Sequence, residues 1–554
     1  MPTLETFIHQ CFVVGTLLMA AMAVYLGIQV LTLGTQAHQD AARARAQAAT
    51  SPDTRTHAAY YIGFFHPFPA AGGGGERVLW TMIKALQDKY PFAVSVVYSG
   101  DGLDRAELLA QVQAKFGLAI DPQTVHVVEL RRRWWVEHRF PRLTLLLQSL
   151  GSVWLAAEAL HHFNPDVFVD TVGYAFSYPL VRMVCGARVP VVSYTHYPTI
   201  SSDMQTLVAS RESGVSNAEA IARSRLLTLA KRAYYWGFAQ AYCWSGGFAS
   251  TIMTNSSWTH AHIVQLFGKP RMTRAVYPPC DTKSLEEMAL EGRGRSRLVV
   301  SLAQFRPEKN HALQVDAFAR MLARHPALAA PAGWRKPSED ALLSSASGDG
   351  VGRGATEYPQ LVVIGGARNI DDEARAEALR QRARRLGVDR QVHVVVNAAW
   401  PRVLAWLRAA SVGLHTMRDE HFGIGVVEMM AAGLLTLAHD SAGPRLDIVT
   451  PALRCTPAEA QAAEAGPEMP DPAACAAPEY PVGMLATSAD EFAQMLALAL
   501  TARGDAPDAM RRAARVAATA RFSEDVFCAA FLRRFDPVVR WLDIQRSDAD
   551  ESYD

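Results

Sequence analysis

The chain has 554 residues, 50% of them hydrophobic and 20% charged, with a formal net charge of +1. A chain of this length is too long to fold around one compact hydrophobic core, so we expect two domains. The near-neutral charge balance does not favour a nucleic-acid-binding protein, so any basic surface must be local.

The cysteines are scattered along the chain, without a CxxC pair or the spacing of a zinc site. We therefore expect neither a disulfide framework nor a structural metal, and a reducing compartment fits best. The residues are Cys11, Cys185, Cys243, Cys280, Cys455, Cys475 and Cys528.

The N-terminal segment contains an uncharged apolar run, from Cys11 to Leu33. At about 1.5 Å per residue, this run is long enough to cross a hydrocarbon core of about 30 Å. A cleaved signal peptide is the alternative, but the run is longer than a usual signal h-region and has no basic residue before it. We predict a transmembrane anchor over residues 1–34. Arginines follow the run and none precedes it, so the positive-inside rule predicts cytosolic domains.

The rest of the chain shows two series of strand and helix patterns. Residues 35–57 are rich in Ala and polar side chains and predict a tether. Short Val-rich strands then alternate with helices, which is typical of a parallel sheet covered on both faces. We predict two α/β domains, over residues 58–285 and 286–522. The strands are predicted in AAYYIGFFHPF, FAVSVVYSG, VHVVEL, PDVFVDT and VPVVSYTHYP, and then in RLVVSLAQF, PQLVVIGGA, QVHVVVNAA, SVGLHTM and LLTLAHDS.

Three further segments lie outside this alternation. Residues 334–357 and 456–482 are rich in Ser, Gly, Ala, Pro and acidic side chains, which predicts surface insertions with little fixed structure. Residues 523–554 contain apolar side chains at helical spacing, which predicts a C-terminal helix that packs back across the first domain, followed by a tail.

Residues 131–160 join a basic, aromatic segment to an uncharged helical stretch. They fit a membrane interface, with Arg side chains at anionic head groups and Trp side chains at the boundary. They fit equally well a buried core helix with a basic cap. The anchor upstream favours membrane contact.

The stretch FFHPFPAAGGGGERVLW places Gly72, Gly73, Gly74 and Gly75 between the first strand and a helical pattern. A glycine-rich turn lets the backbone approach a ligand and directs N–H groups at anionic oxygen, as in diphosphate. The spacing is neither that of a P-loop nor that of a dinucleotide fingerprint. A flexible tight turn would have the same composition.

The stretch RDEHFGIGVVEMMAAG in the second domain contains Glu420 and Glu428, with seven residues between them. We predict a helix over residues 425–432, with the amides of Phe422, Gly423 and Ile424 facing a ligand at its positive end. Glu428 would accept hydrogen bonds from vicinal sugar hydroxyls, and Glu420 would meet another part of the same ligand. Two unrelated surface glutamates would give the same pattern.

Two cations follow the strand predicted at residues 298–303. Arg306 and Lys309 in SLAQFRPEKNH are placed to stabilise a diphosphate leaving group at the carboxyl end of a parallel strand. Solvated loop charges are the alternative.

As a set, these segments resemble the retaining glycosyltransferases of family four, which have the GT-B fold. The set comprises the glycine run, His196 in YTHYPT, the PEK segment and the E-x7-E segment. FFHPFPAAGGGGERVLW, HYPTISSDM, SLAQFRPEKNH and HFGIGVVEMMAAG are similar, more closely, to the eukaryotic alpha-1,2-mannosyltransferases of N-glycan precursor assembly. The resemblance runs from about residue 60 to 449, interrupted by the first insertion.

The resemblance implies two Rossmann-like doubly wound domains facing a cleft, the first binding the acceptor and facing the membrane, the second binding the nucleotide sugar. It implies transfer of the fourth and fifth mannoses, with retention, from GDP-mannose to a dolichol-pyrophosphate-linked trimannosyl-chitobiose core, without a metal. It also implies single-pass insertion in the endoplasmic reticulum membrane, with the catalytic domains in the cytosol. The candidate partners are the lipid-linked oligosaccharide, the lipids of that membrane and other glycosyltransferases of the pathway, with no nucleic acid.

The resemblance also implies a role for each site residue. Glu428 would bind the nucleotide ribose, Glu420 would lie near the transferred mannose, and the amides of Phe422, Gly423 and Ile424 would bind the donor. Arg306 and Lys309 would stabilise the departing GDP. His196 and the glycine run would border the reacting centre.

One position departs from the family pattern. The family has an arginine five residues before the lysine, where this chain has Gln304. Arg306 lies two residues further along and shares the same face of an extended strand, so it could replace that arginine.

Two other functions fit the sequence. One is a family-four enzyme with another lipid-linked acceptor, such as an alpha-1,3/1,6-mannosyltransferase or a phosphatidylinositol N-acetylglucosaminyltransferase, against which HYPTISSDM argues. The other is an inactive, membrane-tethered GT-B scaffold subunit. The presence of Glu420, Glu428 and Lys309 argues against loss of activity.

Overall fold

A computed structural model describes most of the chain outside the N-terminus. It covers residues 36–53, 59–137, 140, 143–201, 204, 208–211, 223–290, 296–345, 357–449, 481–502 and 504–551. The predicted anchor and almost all of the second predicted insertion therefore lie outside the described residues. Within the described ranges, no helix combines the length and the apolar character needed to cross a membrane.

The chain divides into two compact units, each built on its own sheet. The first unit contains the described residues up to Thr254, together with His262–Arg274 and the chain from Phe531 onward. The second unit contains Asn255–Ala261 and Ala275–Ala530. The prediction of two parallel-sheet α/β domains is confirmed.

The first sheet has seven strands in the order β3-β2-β1-β4-β5-β6-β7, and the pairs from β3 to β6 are parallel. Both β1 and β2 are buried at every residue, as expected for strands covered on two faces. The winding direction reverses between β1 and β4. The strands are β1 Tyr60–Phe65, β2 Ala93–Ser99, β3 Val125–Glu129, β4 Val167–Asp170, β5 Val191–Thr195, β6 Thr251–Thr254 and β7 Thr273–Ala275.

Helices flank this sheet on the way between its strands. They are α1 Gln36–Ala49, α2 Gly74–Lys89, α3 Arg105–Phe116, α4 Thr144–His162, α5 Tyr178–Val184 and α6 Arg225–Gly246. Helix α7 Ser257–Phe267 begins in the second unit and ends in the first.

Helix α1 replaces most of the tether predicted over residues 35–57. Ala42 and Ala46 are buried in the core of the first unit, and Arg43 binds the carboxylate of Asp166 at 2.7 Å. The prediction is wrong here because an Ala-rich polar segment is also a good helix former. The alanines on one side of this helix pack against the core of the first unit.

Helix α4 contains the uncharged stretch of residues 131–160. Most of its second half is buried in the core of the first unit. A Cβ added at Gly151 would lie 2.4 Å from the carbonyl oxygen of Trp135, so the aromatic segment before the helix packs directly against it. The core-helix alternative therefore describes this stretch, although Trp134 and Leu143 are exposed.

The second sheet has six strands in the order β10-β9-β8-β11-β12-β13, all of its pairs being parallel. Here the winding direction reverses between β8 and β11. The strands are β8 Leu298–Leu302, β9 Gln360–Gly365, β10 Val392–Val396, β11 Val412–His415, β12 Leu435–His439 and β13 Met484–Ala486.

The helices of the second unit are of very different lengths. They are α8 Lys283–Glu286, α9 His311–Arg324, α10 Glu339–Ser345, α11 Ile370–Arg385, α12 Trp400–Ala409, α13 Ile424–Ala431, α14 Ala489–Thr501 and α15 Asp505–Phe522. Helix α16 Glu524–Glu551 begins in this unit and ends in the first.

Helix α10 lies inside the first predicted insertion, residues 334–357. Its Leu342 is fully buried, and its Glu339 and Asp340 each bind Arg402 of helix α12 at 3.0 Å. The expectation of little fixed structure is therefore wrong for this part. The composition of the segment did not show that Leu342 is buried or that Glu339 and Asp340 both pair with Arg402.

The C-terminal part of helix α16 packs within the first unit. Asp536 accepts hydrogen bonds from the hydroxyl of Tyr90 at 2.6 Å and from Lys89 at 2.7 Å. Asp543 accepts a hydrogen bond from the hydroxyl of Tyr60. The last helix thus contacts the first strand and the residues at the end of helix α2.

Candidate active site

The second unit places its two motifs at the point where the winding of the sheet reverses. Strands β8 and β11 are neighbours, with Val299 paired to Val412, but the chain leaves them in opposite directions. Such a reversal leaves a crevice at the carboxyl ends of the strands. The 3-10 turn Pro307–Lys309 follows β8, and residues 416–423 follow β11.

Lys309 and Glu420 meet at this crevice. The Lys309 ammonium donates to Oε2 of Glu420, and Nε2 of His415 lies 2.9 Å from the same oxygen. Burial alone would raise the pKa of Glu420, but the charge of Lys309 and the hydrogen bond from His415 hold it well below its usual range. Glu420 is therefore ionised at neutral pH, and His415 must donate from Nε2 because a carboxylate only accepts.

The turn that carries Lys309 is held by hydrogen bonds from Thr416, the residue after β11. The hydroxyl of Thr416 donates to the carbonyl oxygens of Asn310 at 3.0 Å and of Lys309 at 3.3 Å. His311 is buried, and this burial lowers its pKa to about 4, with a further contribution from the nearby ammonium of Lys309. It is thus a neutral histidine beneath a cationic turn.

Helix α13 begins beside this ion pair. It spans Ile424–Ala431, so the prediction of a helix over residues 425–432 is confirmed within one residue. Gly423 before it has a φ of 110°, which a side chain would strain. A Cβ added at Gly425 would lie 2.9 Å from the carbonyl oxygen of Leu302, so the first turn of the helix approaches the end of β8. N–H groups in such a first turn lack intrahelical acceptors.

Phe422 contributes packing as well as backbone. Its ring stacks on Tyr277 at 5.6 Å and meets Phe522 edge-on at 5.2 Å, so the side chain belongs to the core. The amide of Gly443 donates to the carbonyl oxygen of Glu420 at 2.9 Å. The segment from Glu420 to Gly423 is therefore held on both sides.

Glu428 lies at the fifth position of helix α13. Like Glu420 it is buried, which excludes the alternative of two surface glutamates. A buried carboxylate is costly unless it is paired or hydrogen-bonded. Arg306, in contrast, is half-exposed and lies 3.9 Å from Glu308.

In the first unit, the glycine run forms the start of helix α2. Gly72 has a φ of 82° and Gly73 is the N-cap, whereas Gly74 and Gly75 are already helical. The prediction of a four-glycine loop is thus wrong for the last two positions. A Cβ added at Gly75 would lie 3.4 Å from Nε2 of His196, so the predicted histidine lies against the start of the helix.

The comparisons with known proteins cover both units. Residues 59–267 match the family described as ALG11 mannosyltransferase N-terminus, and residues 354–465 match glycosyl transferases group 1. A Mus musculus protein is 39% identical over 532 residues, 95% of both chains, and a Homo sapiens protein is 38% identical over 95% of this chain and 94% of its own. A Dictyostelium discoideum protein is 35% identical over 86% and 85%. All three are named GDP-Man:Man(3)GlcNAc(2)-PP-Dol alpha-1,2-mannosyltransferase.

The chain belongs to this mannosyltransferase family. Among solved structures it is similar to a sucrose-phosphate synthase from Thermosynechococcus elongatus, with a TM-score of 0.55 and 13% identity over 87% of this chain and 99% of that one. It is also similar to Anabaena Alr3699/HepE in complex with UDP and glucose, with a TM-score of 0.52 and 15% identity over 86% and 100%. These likenesses concern the fold, which is of the GT-B type.

Two side chains near the candidate site residues of this mannosyltransferase-family chain, His415 and Glu76, were not predicted from its sequence. His415 is the last residue of β11, and a lone histidine in SVGLHTM gave no signal of its contact with Glu420. Glu76 binds the amide of Gly73 at 2.5 Å and lies 3.3 Å from Nε2 of His66. A glutamate at the third helical position after a cap is a capping-box signal that could have indicated it.

His66 connects Glu76 to the point where the first sheet reverses. Its Nδ1 lies 2.8 Å from the hydroxyl of Thr171, which follows β4. Burial would raise the pKa of Glu76, but the hydrogen bond with His66 and the amide of Gly73 lower it. This carboxylate is therefore charged beside the glycine turn.

No cluster of three or more His, Cys, Asp or Glu side chains suited to a metal occurs within the described ranges. Metal independence stays a prediction.

Proposed function

We propose that this chain transfers mannose, with retention and in alpha-1,2 linkage, from GDP-mannose to the dolichol-pyrophosphate-linked trimannosyl-chitobiose core, adding the fourth and fifth mannoses. The observation that carries this proposal is 39% identity over 95% of both chains with a relative of that name. The ion pair of the half-buried Lys309 with the buried Glu420 supports an active enzyme rather than a scaffold, since an ion pair out of water gives little stability by itself.

The reaction breaks the anomeric C–O bond, whose electron pair leaves with the diphosphate, while a hydroxyl oxygen of the acceptor bonds to the anomeric carbon. Its proton goes to the departing diphosphate. Positive charge develops on the sugar and negative charge on the diphosphate. Fixed cations and amide dipoles therefore stabilise the transition state more than the ground state.

In the second unit, we assign Lys309 and Arg306 to the diphosphate and Glu420 to the transferred mannose. Glu420 is suited to this role because His415 and Lys309 fix the position of its ionised carboxylate, which would stabilise the positive charge that develops on the sugar. The start of helix α13, with Phe422, Gly423 and Ile424, would bind the donor through its amides, and Glu428 would bind the ribose. We assign no protein nucleophile.

In the first unit, we assign His196 and the glycine turn to the acceptor side of the reaction. Their proximity supports a common role, because a Cβ at Gly75 would lie within van der Waals distance of the His196 ring. No metal is required in this scheme, since Lys309 and Arg306 supply the positive charge.

We further propose a single-pass protein of the endoplasmic reticulum membrane with cytosolic catalytic units. The uncharged run Cys11–Leu33 and the arginines that follow it support this orientation. The dolichol-linked acceptor in the names of the relatives supports work at a membrane. Membrane lipids and other enzymes of the pathway are the partners that this location implies.

The test uses full-length, detergent-purified protein with labelled GDP-mannose, a lipid-pyrophosphate-linked trimannosyl acceptor and a chelator. We expect two added mannoses that alpha-1,2-mannosidase removes, and no transfer by a Glu420→Ala control. If the wild-type protein binds GDP but transfers no label, the acceptor assignment or the enzymatic role is wrong.

A further inference from the structure

Three tryptophan side chains stack where the segment after β3 meets helix α4. The ring centroids of Trp134 and Trp135 lie 4.3 Å apart with an interplanar angle of 24°, and those of Trp135 and Trp154 lie 6.1 Å apart with an angle of 23°. Trp134 is 43% exposed, whereas the other two are half-buried. This tryptophan stack therefore offers solvent one indole that two further indoles support.

The backbone that carries the first two rings of the stack is fixed. The amides of Arg131 and Arg132 donate to the carboxylate of Glu158 at 2.9 Å and 3.1 Å, which ties the start of the segment to helix α4. The next residues form the 3-10 turn Arg133–Val136, and Val136 is buried. A ring on such a fixed backbone loses little conformational entropy when a ligand packs on it.

The same segment is connected to the glycine turn. Arg133 forms an ion pair with Asp101, and the carboxylate of Asp101 accepts a hydrogen bond at 2.8 Å from the amide of Ala70, two residues before Gly72. The guanidinium of Arg133 also lies 5.0 Å from the ring centre of Phe68. Strands β1, β2 and β3 are parallel neighbours, so the segments that follow them lie at one edge of the sheet. The tryptophan stack therefore shares this edge with the glycine turn, which the proposed function assigns to the acceptor.

An exposed indole of this kind suits a sugar ring. One face of a pyranose ring consists of C–H groups, which are apolar and slightly positive, whereas the face of an indole is apolar and slightly negative. The hydroxyl groups at the rim of the sugar stay in water when the two faces pack together. Little desolvation of polar groups therefore offsets the burial of apolar surface.

The residues directly before the stack add positive charge. Arg131 and Arg132 are both exposed, and two neighbouring guanidinium groups suit the oxygens of a diphosphate. A sugar joined to a diphosphate thus matches the stack and the arginines together. The acceptor of the proposed function has this chemistry, because its chitobiose is joined to pyrophosphate.

We propose that the tryptophan stack, with Arg131 and Arg132, is the subsite that binds the chitobiose-pyrophosphate part of the acceptor. Trp134 packs against one N-acetylglucosamine ring, and the two arginines bind the diphosphate. This inference rests on the proposed function, which supplies a sugar joined to a diphosphate. Because this part of the acceptor is remote from the hydroxyl that reacts, the subsite contributes to binding and not to the chemical step.

The first test measures binding without turnover. Full-length, detergent-purified protein is mixed with N,N′-diacetylchitobiose, and saturation-transfer NMR records the magnetisation that passes from the protein to the sugar. We expect transfer to the ring protons with the wild-type protein, loss of most of it in Trp134→Ala, and recovery in Trp134→Tyr. Trp236→Ala, at another exposed tryptophan, is the matched control and should leave the transfer unchanged.

Three results would overturn the proposal. They are the absence of transfer to the sugar with the wild type, an equal loss in Trp134→Ala and Trp236→Ala, and a loss when the wild type is moved from detergent into lipid nanodiscs. The last result would mean that lipid covers the stack.

The arginines are tested with chitobiosyl pyrophosphate as the probe. The wild type should bind this probe several-fold more tightly than chitobiose, and Arg131→Gln with Arg132→Gln should remove the difference. These substitutions keep the backbone amides that bind Glu158. Equal affinity of the wild type for the two probes would contradict the role of the arginines.

Turnover separates the subsite from the proposed function. Trp134→Ala should raise the KM for the lipid-linked trimannosyl acceptor about tenfold and leave kcat and the KM for GDP-mannose unchanged. A lower kcat with an unchanged KM for the acceptor would contradict the subsite. If the wild type binds chitobiose but transfers no mannose, the proposed function is wrong and the sugar-binding site stands.

Discussion

At the scale of single residues, the contact between Lys309 and Glu420 affects both the ionisation of Glu420 and the stability of the second unit. Glu420 is buried, and the ammonium of Lys309 is its cationic partner in the described second unit. Removing one member of a buried pair leaves an uncompensated charge, which costs about 3–5 kcal/mol, whereas replacing both members costs much less. Activity and stability should therefore respond differently to single and double variants.

We expect Lys309→Met to lower mannose transfer by about 10²- to 10³-fold, because a fixed donor to the transition state is lost. The same variant should lower the free energy of unfolding by about 3–5 kcal/mol. Lys309→Met with Glu420→Gln should recover most of the stability and none of the activity. Radiolabel transfer and urea unfolding measure the two effects, and recovery of activity in the double variant would contradict the assigned role.

A pH effect follows from two histidines of the same region, the buried His311 and the half-buried His421. Burial lowers the pKa of His311 and of His421 to about 4, against about 6.5 in an unfolded chain. Between these values the unfolded state binds more protons, so stability falls as the pH falls from about 6.5 to about 4. The pKa of Glu420 is depressed in the folded state, so this carboxylate contributes stability above the pKa of the unfolded chain, about 4.3. That contribution is lost only as the pH falls below about 4.3, where the carboxylate of the unfolded chain is protonated.

We expect the second unit to lose about 1–2 kcal/mol per histidine between pH 7 and pH 5. Urea unfolding at both pH values, on the wild type and on His311→Gln and His421→Gln, measures this loss. Each variant should show a smaller difference between the two pH values. An unchanged difference would mean that the histidines do not remain neutral in the folded state.

At the scale of elements, strands and helix α13 could be predicted, and buried polar contacts could not. Strands such as β1 and β9 were predictable because a strand buried on both faces is almost continuously apolar. Helix α1 was missed because the sequence does not reveal that Ala42 and Ala46 meet a core. The contact of His415 with Glu420 was missed because it depends on which strand lies beside β8 in the sheet.

The glycine run gives a prediction at this scale. Gly72 has a left-handed φ of 82°, so Gly72→Ala should destabilise the first unit by about 1–2 kcal/mol. Gly237 lies in helix α6 and a Cβ added there would meet no atom within 4 Å, so Gly237→Ala should instead stabilise by about 0.5–1 kcal/mol. Thermal unfolding of the two variants measures opposite shifts, and a loss of stability in both would contradict the argument from φ.

At the scale of the whole molecule, the C-terminal helix completes a unit that begins hundreds of residues earlier in the chain. Asp536 of helix α16 accepts hydrogen bonds from Tyr90 and Lys89, and Phe531 and Phe535 are buried. The first unit is therefore complete only when the end of the chain has been added. The stability of the first unit should therefore depend on C-terminal residues that are distant, along the sequence, from every predicted site residue.

We expect Asp536→Asn to weaken the packing of helix α16 by about 1–3 kcal/mol, because two partners lose a charged acceptor. Hydrogen exchange of peptides from β1 and helix α2 should become faster, while the binding of GDP stays unchanged. Asp525→Asn is the matched control on the same helix, since Asp525 is exposed and its ion pair with Lys283 lies at the surface. Equal exchange in both variants would mean that the end of helix α16 does not stabilise the first unit, and the packing of β1 and α2 would then be independent of it.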